Sequence, residues 1–170
     1  MPPQNDALDT KPVECTFILN KQPISTLHCP GLGHFSAFSG NGLHTNNPES
    51  VTVISKGPLP KGVYYIVDRE SGGHLGWLRD VVKDMGNNTH RADWFALYRN
   101  DGKIDDETIV NGIRRAHFRL HPIGSRRISN GCITLPSVSQ FAKLRAFLKS
   151  QPMFDVPGTK LKAYGRVTVK

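Results

Sequence analysis

The sequence predicts a mainly β protein, a β-sandwich or small barrel that carries two or three short helices. Three observations lead there. Apolar residues recur with period two in many short runs. Gly and Pro are plentiful, 16 and 12 among 170 residues, and fall between those runs. Helical periodicity is sustained in only two places, so strands are not interleaved with helices as in a βαβ protein.

A chain of this length suits one domain with its own core. Residues 1–14, MPPQNDALDTKPVE, have no basic n-region and no apolar run. They read as a flexible tail without a signal peptide, ahead of a single domain at 15–170.

Along that domain, CTFILNKQPISTL (15–27) suggests two strands about an Asn-Lys-Gln turn, and HFSAFSGNG (34–42) a strand broken at Gly-Asn-Gly. LHTNNPES reads as a loop and VTVIS (51–55) as a further short strand. GPLPKGVYYIVDR enters a clear strand at Val63–Val67. In LGWLRDVVKDMG (75–86), Leu75, Leu78, Val82 and Met85 are spaced for a helix capped by Gly86. WFALYRN (94–100) is a strand closed by Asn-Asp-Gly. KIDDETIVNG suggests a single helical turn. RRAHFRLHP (114–122) alternates Ala116, Phe118 and Leu120 against His117, Arg119 and His121. A short alternation follows at Cys132–Leu135. Ser137 and Gln140 form a capping box before the stripe Phe141, Leu144, Leu148, and LKAYGRVTVK is a final strand.

The net charge of +8 and pI near 9.6 raise the question of nucleic acid. The cations are scattered, with no zinc-finger spacing and no aromatic RNA-binding motif. They suit solubility and attraction to a carboxylate-rich substrate. No stretch reaches the roughly 20 apolar residues of a membrane span. Neither nucleic-acid binding nor membrane insertion is expected.

Of the three cysteines, Cys15 and Cys29 can pair in an oxidising compartment or pack as small apolar side chains. Metal binding is not expected. His117 and His121 have zinc-helix spacing but sit in a strand-like run, and Cys15, His28, Cys29 and His34 match no zinc pattern. Cys132 follows Ser129-Asn130-Gly131, eleven positions after His121. A nucleophilic thiol needs a base, and His is the usual one. If their strands are neighbours, both side chains reach one edge. Backbone N–H groups from Asn130 to Cys132 would then surround the sulfur as an oxyanion hole. Gly131 leaves room for substrate, and Arg126 and Arg127 can clamp a carboxylate. His117 can line the same face. A buried cysteine with a solvent-facing histidine is the competing reading of the same residues.

The string from His121 to Ser129-Asn130-Gly131-Cys132-Ile133-Thr134-Leu135 resembles the signature of the L,D-transpeptidase catalytic domain. FSAFSGNG and GPLPKGVYYI resemble two upstream blocks of that family, in the same order. Three departures are visible: a shorter His-to-Cys connection, Pro122 after the His, and Thr134 where an Arg is usual. Together with the missing signal peptide, they resemble the short L,D-transpeptidase effectors delivered by type VI secretion into the periplasm of competing bacteria.

The resemblance implies a sandwich of that family's type and no cofactor. Cys132 would be the nucleophile and His121 the base, acting on the diaminopimelate–D-Ala bond of peptidoglycan tetrapeptide stems. A backbone carbonyl rather than an Asp would orient the imidazole, and an immunity protein would be the partner. Outside that resemblance, a different Cys–His amidase and a non-catalytic basic binding module remain as alternatives.

Overall fold

The computed structural model describes residues 11–69, 93–124 and 128–170. Its strands are β1 (Val13–Phe17), β2 (Ser25–Cys29), β3 (Gly33–Ala37), β4 (Gly62–Asp68), β5 (Phe95–Arg99), β6 (Glu107–Val110), β7 (Ile113–Ala116), β8 (Arg119–Pro122), β9 (Ile133–Leu135), β10 (Phe154–Asp155) and β11 (Lys162–Val169). One α-helix, Val138–Ser150, is described, with two single 3-10 turns at Gly42–His44 and Pro48–Ser50. The helix expected at 75–86 lies outside the described residues.

The strands of one sheet run in the order β3-β2-β1-β11-β4-β5-β8-β9, with β10 paired to β11. A bridge between Phe38, just past β3, and Thr134 in β9 brings the two ends together. The mainly β layers therefore come from one sheet curling until nearly closed, which leaves little free edge to pair with another chain. β11 lies at the centre, parallel to β1 and antiparallel to β4. β1 already includes Val13 and Glu14, so ordered structure reaches into the expected tail.

Most of the core is a single cluster inside the curl. Phe17, Leu27, Ile66, Leu97, Leu120, Ile133 and Leu135 belong to it, and the helix seals one side with Phe141, Leu144 and Leu148. Ser137 caps that helix, its hydroxyl accepting from the Gln140 N–H at 3.2 Å. β4 is buried on both faces. Tyr64 and Ile66 enter the main core, while Tyr65 and Val67 join Ala96, Tyr98, Val156 and Ala163 in a second cluster outside the sheet. This explains why its sequence is a continuous apolar run rather than an alternation.

Three local expectations are corrected. Residues 51–55 form turns closed by Val53 N–H to the Ser50 carbonyl and Gly57 N–H to the Val53 carbonyl, not a strand. Residues 107–116 form the β6–β7 hairpin about Asn111-Gly112, both at positive φ, where a helical turn was expected. The alternation at 114–122 is two strands rather than one, because His117 takes φ +65 and turns the chain between β7 and β8.

Cys15 and Cys29 are disulfide-bonded, with Cα atoms 4.3 Å apart across the β1–β2 pair. Cys132 is the free cysteine. Among the described residues no helix is long and apolar enough to cross a membrane.

Candidate active site

β8 and β9 are parallel neighbours, with Leu120 opposite Ile133, His121 opposite Thr134 and Pro122 opposite Leu135. Leu120, Ile133 and Leu135 point into the main core. By strand alternation His121 and Thr134 take the other face, and Cys132, two residues before Thr134, lies on that face too. The pairing thus brings the two sequence-predicted groups onto adjacent strands and one face, offset by one side-chain repeat.

His121 is fully buried. Its Nδ1 lies 2.6 Å from the carbonyl oxygen of Pro122, which can only accept, so Nδ1 carries the proton. That leaves Nε2 as the basic nitrogen, 3.3 Å from the Thr134 hydroxyl, which donates to it. The indole of Trp94 stacks on the imidazole with ring centres 4.4 Å apart. Burial pulls the imidazole pKa down to about 4, against the Pro122 carbonyl, which favours the charged form, and with the nearby Arg119 charge.

Cys132 is also buried. Its thiol donates weakly to the His117 carbonyl at 4.0 Å and accepts from the Arg119 backbone N–H. Burial pushes the thiol up to about 11, although the Arg119 N–H and charge act in the opposite direction. At neutral pH the pair therefore rests as thiol and neutral imidazole. The histidine is in its base form, and the proton must move during attack rather than before it.

The turn before the nucleophile is tied down from several sides. The Ser129 hydroxyl donates to the Cys132 carbonyl at 2.7 Å, and the Ser129 N–H donates to Asn41 Oδ1 at 2.7 Å. Asn41 Nδ2 donates to Asn130 Oδ1 at 2.8 Å. The Gly131 N–H is engaged by the Ser129 carbonyl at 2.9 Å. Gly131 sits at φ +81, and a Cβ there would meet Arg115 Nη2 at 2.7 Å and the Phe118 ring at 3.2 Å. The glycine is thus required by the wall behind the thiol, a different reason from room for substrate.

That wall is polar and buried. Arg115 donates to the carbonyls of Val51, Gly57 and Pro58. Arg119 forms a two-pronged ion pair with Asp106, at 2.6 and 2.8 Å. His117 bonds Asp106 through Nδ1 at 3.1 Å. Burial alone would raise the Asp106 carboxyl, but the hydrogen bonds and charges of Arg119 and His117 hold it below the usual range. Arg126 and Arg127 lie outside the described residues.

Asn41, Trp94, Asp106, Arg115, Arg119 and Thr134 complete the surroundings and were not expected from sequence. Only Thr134 was signalled, as the residue standing where the resemblance has an Arg. An Asp eleven residues before its partner His117 carries no local pattern that marks it.

The family model of the Tlde1 domain matches residues 33–159. The comparisons with curated proteins and with solved structures give no match.

Proposed function

The chain belongs to the Tlde1 domain family of type VI secretion effectors, and from that premise we propose that it is an antibacterial enzyme of the L,D-transpeptidase and L,D-carboxypeptidase kind. Its substrate is the peptidoglycan tetrapeptide stem. The observation that carries this reading is the pairing of β8 with β9. It sets Cys132 and His121 on one face, with Nδ1 of the histidine held by a backbone carbonyl and Nε2 left basic.

In the reaction, Cys132 Sγ attacks the carbonyl carbon of the diaminopimelate–D-Ala bond while its proton passes to His121 Nε2. The backbone N–H groups of Asn130 and Cys132 receive the oxyanion, that of Gly131 being held by the Ser129 carbonyl. As the C–N bond breaks, the imidazolium returns the proton to the leaving D-Ala amine, and a thioester to Cys132 remains. Water then gives the shortened stem, and a D-amino acid amine gives the exchanged one. In either case the histidine takes the incoming proton and the thiol is regenerated. Loss or exchange of D-Ala removes the donor stems that cross-linking needs. Arg126 and Arg127 are the proposed carboxylate clamps. A producing cell requires an inhibitor of such an enzyme, which makes an immunity protein the implied partner.

The test is mass spectrometry of diaminopimelate-type tetrapeptide muropeptides incubated with the protein, with and without an added D-amino acid, beside Cys132→Ala. Loss or replacement of D-Ala by the wild type alone is expected. Cleavage elsewhere in the muropeptide would move the enzyme to another amidase class, and untouched muropeptides would end the enzymatic reading.

A further inference from the structure

Behind the thiol lies a group of buried charges that the proposed reaction does not use. Asp106 precedes β6 and meets the segment 117–119 through four hydrogen bonds. Its carbonyl accepts from the His117 N–H at 3.0 Å, and its carboxylate takes His117 Nδ1 and both terminal nitrogens of Arg119. Arg119 Nη1 also donates to the Phe118 carbonyl at 2.8 Å, fastening the guanidinium to the same segment.

This segment is the seat of the sulfur. The thiol meets the His117 carbonyl on one side and the Arg119 N–H on another. His117 points its carbonyl there only because its backbone is at φ +65, a conformation that costs a non-glycine residue energy unless its surroundings impose it. Asp106 contributes to that imposition, with one bond to the backbone of His117 and one to its ring. Arg119 and Asp106 are 1% and 9% exposed, so their charges act on the sulfur through little water. Among the described residues, the charged and titratable groups around the thiol are Arg119, Arg115, Asp106, the His117 ring held by Asp106, and His121 on the neighbouring strand.

We propose that Asp106 is a positioning residue for Cys132. Through His117 and Arg119 it fixes the backbone on which the sulfur rests and balances the guanidinium beside it, so that the thiol stays protonated until substrate arrives. The proposal rests on Cys132 being the nucleophile of the reaction above. Its test reads the thiol itself and not turnover, so the two can fail separately.

The experiment is the rate of alkylation of Cys132 by iodoacetamide as a function of pH, followed by mass spectrometry on the native protein. The Cys15–Cys29 disulfide keeps the other two cysteines silent. Asp106→Asn removes the carboxylate that pairs with Arg119 and is expected to move the midpoint down by about one pH unit or more, about tenfold more thiolate at pH 8. Arg119→Gln removes the cation between Asp106 and the thiol and is expected to slow alkylation by about tenfold. The double variant, with neither charge, is expected within about threefold of the wild type. Removing one partner of a buried pair can prevent folding. Should Asp106→Asn not fold, the order Arg119→Gln slower than the double variant decides the matter. Midpoints that coincide in all the folded variants, or a double variant displaced as far as the singles, would overturn the proposal.

Discussion

At the scale of single residues, the imidazole of His121 couples the site to the stability of the fold. In the unfolded chain this histidine takes its proton near pH 6.5, whereas in the folded protein burial delays protonation to about 4. Between those values the unfolded state binds the extra proton. The contribution is therefore complete above pH 6.5 and is lost as the pH falls towards 4. Its full size is on the order of 3 kcal/mol, of which about 2 kcal/mol is lost between pH 6.5 and 5. Urea denaturation at those two pH values is expected to show this loss in the wild type and a markedly smaller one in His121→Gln. Equal slopes would mean that the buried imidazole protonates without cost. Cys132→Ala is the companion case. It removes one sulfur from a walled site, and its expected effect is complete loss of turnover with the fold intact, checked by circular dichroism alongside the muropeptide assay.

At the scale of elements, the disulfide is the strongest local constraint. It joins directly opposed residues of β1 and β2, both buried, and closes a sequence separation of 14. A loop of that size is worth about 3 kcal/mol in the unfolded chain. Cys15→Ser with Cys29→Ser is expected to lower the denaturation free energy by roughly that amount, or more because two hydroxyls replace packed sulfurs. A change under about 1 kcal/mol would mean that β1 and β2 are held by pairing alone. The same elements show where the sequence was legible. β4 and the helix were readable because a dense apolar run and a Ser-x-x-Gln cap each have one structural solution. The β6–β7 hairpin was missed although Asn111-Gly112 is a strong turn signal. The run from Arg114 to Pro122 alternates without interruption in sequence, and nothing there announces that His117 turns left-handed. The site followed the same division. Cys132 and His121 could be named because their chemistry is rare and their neighbours distinctive. Asp106 and Trp94 reach them through tertiary packing, which leaves no spacing to read.

At the scale of the whole molecule, stability is concentrated in strands that face packed groups on both sides. Ile66 lies in β4 between β11 and β5, with no measurable exposure beyond 1%. Ile66→Ala is expected to cost about 2–5 kcal/mol in urea denaturation, since a cavity opens where neighbouring strands cannot collapse. By contrast the ion pair of Glu14 with Arg166, across β1 and β11, is partly exposed, and its loss through Glu14→Ala should cost under about 1 kcal/mol. Should the two changes prove comparable, the account of where the sheet draws its stability would be wrong.

The central place of β11 also governs the order in which the molecule comes into being. Residues 162–169 stand between β1 and β4, and without them neither has its inner neighbour. A ribosome makes β1 first and β11 last among the strands. The sets β3-β2-β1 and β4-β5-β8-β9 are therefore joined through β11 only once translation has reached it. For the whole of that interval the early strands wait with their apolar faces uncovered, and the chain is in its most receptive state for a chaperone or carrier. Closure comes as one late event, once the eleventh strand slides in between the first and the fourth.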